Sequence, residues 1–259
     1  MYHNQPIGLF DSGVGGTSIW REVHALMPGE STIYLADSKH APYGEKSKEE
    51  IVKLSQKNTE LLLDLGCKII VVACNTATTN AIAELRTQYK VPFIGIEPAI
   101  KPAALQSSTK AIGILATQGT LSSALFHQTA GQFTGIQRIE QIGHGLVPLI
   151  EAGKIDSPEM VKLLEQYLAP MLAAHIDHLV LGCSHYPYLI PILKKLLPPQ
   201  VRIIDSGEAV ARQTQAIIAE TSGFRDPSYS PTFDFYTNHE PAVLQSLIGA
   251  PFLAAFKDF

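Results

Sequence analysis

Short β-branched runs alternate with longer amphipathic stretches along this chain, and three of the runs recur in order with their ends intact. "IGLFDSGVGGTS" from Ile7 is echoed by "IGILATQGTLSS" from Ile112, and "VVACNTATT" from Val71 by "LVLGCSHYP" from Leu179. Between and beyond them, "FIGIEP", which carries Glu97, is echoed by "VRIIDSG", which carries Asp205. Any single pair of short apolar strands resembles another by chance. Three pairs in order at nearly one spacing point instead to a chain that builds one kind of unit twice, and alternating βα units make mostly parallel sheets covered by helices.

The expected fold is therefore α/β, with two pseudo-symmetric Rossmann-like lobes, mostly parallel sheets and an active site in the cleft between them. The first lobe is expected to take residues 1–97 plus 206–259 and to carry Asp11 and Cys74. The second, 98–205, carries Thr117, Glu151, Cys183 and His185, with the break near Pro98–Pro102. Strands are expected at Ile7–Phe10, Thr32–Leu35, Ile69–Ala73, Phe93–Ile96, Ala111–Leu115, Ile136–Ile142, His178–Leu181 and Val201–Ile204. A helix is expected over Ser47–Leu65: Ser47 and Glu50 form a capping-box pair, Ile51, Leu54, Asn58, Leu61 and Leu65 fall largely on one face, and Gly66 is a stop. Ser157 followed by Pro158 marks another helix start.

Composition removes several classes of function. With 259 residues, 46% of them hydrophobic and 17% charged, the chain can bury a large core. A formal net charge of −4 without like-charge runs gives no basic field for nucleic acid or an anionic membrane. No apolar stretch has the length to span a bilayer, and "MYHNQPIGLF" lacks the basic and long apolar regions of a signal peptide, so a cytoplasmic location is expected. The cysteines, Cys67, Cys74 and Cys183, are odd in number and have no CxxC spacing, which argues against a disulfide framework and a structural zinc site. No metal is expected.

Ligands of parallel α/β sheets sit beyond the carboxyl ends of the strands, where Asp11, Cys74, Thr117 and Cys183 fall. Pseudo-twofold symmetry would put the matched cysteines on opposite walls of the cleft. One reaction asks for that arrangement: inversion at a carbon bearing an acidic hydrogen, with a base on one face and an acid on the other. Thiols suit both jobs, because their ordinary pKa of about 8.5 is tunable by a helix N-terminus or a cationic neighbour. Asn75, Thr76, Thr78 and Ser184 are placed to hold an amino acid's carboxylate and ammonium, and Asp11 and His185 are candidates to relay protons. Cys67, at a helix–strand junction with no repeat partner, reads as structural. "DSGVGG" has neither the GxxxxGK nor the GxGxxG register and reads as a tight turn rather than a nucleotide loop.

Each candidate has a plainer alternative. A lone cysteine ending an apolar strand is as often a small buried hydrophobe as a site residue, and His185 by itself is more often a loop histidine. A cysteine hydrolase using Cys183 and His185 would need nucleophile and base two residues apart, and would leave Cys74 without a job. A metal enzyme drawing on Cys74, Cys183 and His185 has no familiar ligand spacing. A two-lobed binding protein gains nothing from opposed thiols.

The motifs "IGLFDSGVGG", "DSKHAPYG", "VVACNTATT", "GIEPAIKPA", "LATQGT", "LVPLIEAG", "LGCSHYP" and "IIDSGEAVA", in this order over nearly the whole chain, closely resemble the bacterial glutamate racemase family. The resemblance implies a cofactor-independent isomerase, using no pyridoxal phosphate, metal or nucleotide, that interconverts L- and D-glutamate and supplies D-glutamate for peptidoglycan. It implies that Cys74 removes the proton from D-glutamate and Cys183 from L-glutamate. By the same resemblance Asp11 assists Cys74, Glu151 pairs with His185 beside Cys183, and Ser12, Pro42, Tyr43, Gly44, Asn75, Thr76, Thr117, Ser184 and His185 contact substrate. Ser184 stands where the family usually has threonine, keeping the hydroxyl and losing a methyl group. The short segment before the first strand implies no activation by a cell-wall precursor, and a homodimer is expected because the family commonly dimerises. Aspartate racemases and other two-cysteine amino-acid racemases share the architecture and form the alternative reading.

Overall fold

The computed structural model describes residues 2–259. Ten strands are present among them: β1 (Ile7–Asp11), β2 (Thr32–Ala36), β3 (Ile69–Val72), β4 (Phe93–Gly95), β5 (Ala111–Ala116), β6 (Gln137–Ile142), β7 (His178–Gly182), β8 (Arg202–Ile204), β9 (Phe233–Thr237) and β10 (Ala254–Phe256). Each of the eight strands expected from sequence is found, its ends shifted by no more than one residue. They form two sheets, one in the order β10-β9-β2-β1-β3-β4 and the other β6-β5-β7-β8. Every pairing is parallel. The central strands β1, β3, β5 and β7 are buried along their whole length, which is why they read as unbroken apolar runs rather than alternating ones.

The chain passes from the first sheet to the second after β4 and returns after β8. Ser206 Oγ donates to the Glu97 carbonyl at 2.5 Å, so the outgoing and returning segments are tied together. The returning helix, Gly207–Glu220, packs on Thr17–Leu26 beside the first sheet. Beyond it, β9 pairs with β2 and β10 with β9; sequence patterning marked neither β9 nor β10.

Local signals act largely as expected. Ser47 Oγ accepts the Glu50 amide at 3.2 Å and starts the helix Lys48–Asp64. The reciprocal half of the capping box does not form, because the Glu50 carboxylate pairs instead with Lys46 at 2.7 Å. That helix buries Ile51, Ser55, Asn58, Thr59 and Leu62, a face rotated from the predicted one toward the polar side. Gly66, at φ +81°, takes the left-handed turn that ends it. Ser157 Oγ accepts the Met160 amide at 3.2 Å, with Pro158 the first residue of the helix Pro158–Ala173. Cys67 is buried against Gly8, where a Cβ atom would lie 2.9 Å from its Sγ, and burial pushes its thiol up to about 12. It is a packing residue. Among the described residues, no helix is long and apolar enough to cross a membrane.

Candidate active site

Strand register brings the repeated sequence ends into one place. Phe10 and Val72 are paired, so Asp11 and Cys74 emerge from neighbouring strands of the first sheet. Ala116 and Gly182 are paired, so Thr117 and Cys183 emerge in the same way from the second. Cys74 is the N-cap of the helix Asn75–Gln88, its Sγ accepting the Ala77 amide at 3.4 Å. Cys183 lies 3.8 Å from Nδ1 of His185. Both thiols are buried.

Each thiol has its own titratable neighbours. On the Cys74 side, Asp11 is fully buried; its Oδ2 accepts the Gly16 amide at 2.8 Å and its Oδ1 accepts the Ser184 hydroxyl at 3.1 Å. Burial pushes the Asp11 carboxyl above the usual range, against the opposing pull of the His185 charge and the Gly16 amide. Burial, and next the nearby Asp11 charge, hold the Cys74 thiol well above its ordinary value, while hydrogen bonds from Ala77 and Ser12 work the other way. Cys74 is thus a thiol at neutral pH until a positive group arrives.

On the Cys183 side, His185 Nε2 meets Glu151 Oε1 at 2.5 Å, and Nδ1 faces Cys183, Ser184 Oγ at 3.4 Å and Asp11 Oδ2 at 3.9 Å. Burial would depress the imidazole, but hydrogen bonding to Cys183 and Glu151 and the negative charge of Asp11 outweigh it and hold His185 well above its ordinary value. One ring nitrogen faces a carboxylate and the other a cysteine sulfur, an arrangement that favours the protonated ring. Glu151 closes the helix Leu146–Glu151 and reaches across to the first sheet, its Oε1 accepting the Val14 amide at 2.7 Å and its Oε2 the Ser38 hydroxyl at 2.8 Å.

The small residues of "DSGVGG" follow from these approaches. A Cβ on Gly13 would lie 2.0 Å from Glu151 Oε1, and one on Gly15 would lie 2.2 Å from His185 Nδ1. The glycines leave room for the Glu151 and His185 side chains.

The remaining candidates line the same region in different ways. Asn75 is buried, and neither its amide oxygen nor its nitrogen has a protein partner. A buried amide left with both ends unpaired is a costly feature that a polar ligand would satisfy. Thr76 and Thr117 join hydroxyls across the junction at 2.8 Å, with Thr120 at 3.0 Å from Thr117. Ser12 and Ser184 are buried beside the thiols. Tyr43 is buried too, but its hydroxyl donates to Asp37 and accepts from Asn58, so Pro42 and Gly44 are what this loop presents toward Thr117. A cavity of only about 20 Å³ remains between Pro42, Gly44, Thr117, Gly143, His144 and Val147. That is room for roughly one water, and neither thiol lines it.

Sequence reasoning did not mark Ser38, Thr120 or Asp37. Ser38 and Asp37 sit in the quoted motif "DSKHAPYG", yet nothing local distinguishes Ser38 from a surface serine. Its partner lies 113 residues away.

Facing parallel sheets that present a buried thiol on each side define an enzyme, and one of the racemase class. The chain belongs to the Asp/Glu/hydantoin racemase family, whose model matches residues 17–214. It is 44% identical over 240 residues to the glutamate racemase of Herpetosiphon aurantiacus, covering 92% of this chain and 94% of that one. It also resembles the crystal structure of glutamate racemase isoform RacE1 from Bacillus anthracis, with a TM-score of 0.87, 28% identity, and 99% of this chain and 98% of that chain covered. The Escherichia coli glutamate racemase, crystallised with L-glutamate and the activator UDP-MurNAc-Ala, matches with a TM-score of 0.84 and 33% identity over 94% of each chain.

Proposed function

We propose that this enzyme is a glutamate racemase that inverts the α-carbon by two-thiol proton transfer without a cofactor, and that its product D-glutamate serves peptidoglycan synthesis. The observation that carries this reading is the pairing of each buried thiol with a separate proton relay, Asp11 for Cys74 and His185–Glu151 for Cys183. Relatives named glutamate racemase over nearly the whole chain supply the substrate.

In the L-to-D direction, Cys183 as thiolate takes the α-proton, assisted by the imidazolium of His185. The Cys74 thiol then delivers its proton to the opposite face, leaving Cys74 as thiolate and Cys183 as thiol. Asp11 accepts and returns the proton that resets Cys74. The substrate's own ammonium supplies the positive charge that brings a buried thiol down toward ionisation. Asn75 and the hydroxyls of Thr76, Thr117 and Ser184 hold the carboxylates, with Pro42, Tyr43 and Gly44 closing over them. A dry cleft strengthens these fixed dipoles and keeps solvent protons from the carbanionic transition state. The lobes that open and close are residues 1–97 with 206–259, and 98–205.

The test is NMR of purified protein in D2O with L-glutamate and then D-glutamate, with no cofactor added. Deuterium at Cα together with inversion from both enantiomers is expected, and Cys74→Ser and Cys183→Ser should each abolish inversion. Exchange of aspartate but not glutamate would overturn the substrate, and inversion surviving loss of either thiol would overturn the mechanism.

A further inference from the structure

The arm that serves Cys183 is completed by a residue from the opposite sheet's side of the cleft. Ser38 Oγ has a single proton, and it goes to Glu151 Oε2 at 2.8 Å. The other oxygen, Oε1, accepts the Val14 amide at 2.7 Å and meets His185 Nε2 at 2.5 Å. Each carboxylate oxygen therefore has a donor from the first-sheet side, and together they fix the plane in which the carboxylate meets the imidazole.

Ser38 is itself held firmly. It follows Asp37, a fully buried carboxylate that accepts from His40 Nδ1 at 2.6 Å, from Asn238 Nδ2 at 2.5 Å and from the Tyr43 hydroxyl. The same anchor positions Tyr43 and hence the Pro42–Gly44 loop.

We propose that Ser38 is a positioning residue for the Cys183 half-reaction: by holding Glu151 it sets the orientation of His185, and only a closed cleft makes that bond. The inference rests on the two-thiol reading above. Ser38 makes no bond to Asp11, whose own serine donor is Ser184, so the effect of losing Ser38 falls first on the Cys183 thiol.

A racemisation has an equilibrium constant of one, so a variant must lose kcat/KM equally in the two directions. The asymmetry has to be read in isotope effects. Wild-type protein is first shown to invert glutamate in D2O; if it does not, the functional reading fails before Ser38 is tested. For Ser38→Ala we expect kcat to fall about tenfold, the scale of a lost hydrogen bond to a charged group, with KM changed by no more than about twofold. The primary deuterium isotope effect on kcat/KM should rise with α-deuterated L-glutamate, whose proton Cys183 removes, and fall with α-deuterated D-glutamate. Ser38→Thr, which keeps the hydroxyl, should restore most of the rate. Isotope effects that move together, an unchanged kcat, or a Ser38→Thr variant as slow as Ser38→Ala would each overturn the proposal. A variant that loses activity by misfolding is recognised by its thermal midpoint, and the Thr variant then decides.

Discussion

Gly13 carries no side chain because the Glu151 carboxylate occupies the space one would need. Gly13→Ala is therefore expected to leave the fold standing, since the far end of a glutamate can swing aside, but to break the Glu151–His185 contact. Steady-state assays should show kcat reduced by roughly tenfold or more, with far-ultraviolet circular dichroism unchanged. At this scale the sequence was legible wherever chemistry and strand end coincide: Asp11 ends an apolar strand, Cys74, Thr117 and Cys183 lie one or two residues past one, and the fold delivers them together. Ser38 and Thr120 were not legible, because a serine or threonine in a loop acquires its meaning only from a partner remote in the chain. Asn75 lies between: its place beside Cys74 was visible in the sequence, while its unpaired amide was not.

At the scale of elements, capping is the testable grammar. Ser157 Oγ accepts the Met160 amide at the start of Pro158–Ala173, a helix that packs Met160, Leu164, Leu168 and Met171 into the main core. Ser157→Ala should lower unfolding free energy by about 1 kcal/mol, read from urea denaturation, with kcat unchanged. An equal loss of kcat would mean that this helix transmits strain to the site. Eight strands were readable because buried parallel strands are short, apolar and β-branched. The remaining two were hidden for physical reasons. β9, "FDFYT", is only partly buried and follows the proline-interrupted stretch "DPSYSPT". β10, "AAF", has three residues, two of them alanine, a poor strand former. β9 gains its conformation from the β2 edge, and β10 from β9, rather than from their own sequence.

For the molecule as a whole, a buried histidine placed between two carboxyl groups links stability to pH. His185 is held well above its ordinary value, so the folded protein keeps a proton that the unfolded chain releases above about pH 6.5. Its contribution is fully present below that pH and is lost progressively as pH rises toward the folded-state value. The thermal midpoint of wild type should therefore decline between about pH 6.5 and 8, below the range in which unfolded thiols titrate, and His185→Asn should flatten that decline. A slope identical in the two proteins would show that the proton is held elsewhere.

The two sheets also differ in when a growing chain can complete them. β5, β6, β7 and β8 come from one uninterrupted stretch, Ala111–Ile204, whereas β2 must wait for β9, pairing Thr32 with Phe233. During synthesis, β2 presents an unpaired apolar edge while some two hundred further residues emerge, among them every strand of the second sheet. The last wall of the enzyme to be finished is thus the one that holds Asn238, and with it the Asp37 anchor of the Pro42–Gly44 loop. A nascent chain can own both thiols and still have no organised loop to close over a substrate, so catalytic competence is deferred until the final strands are in place.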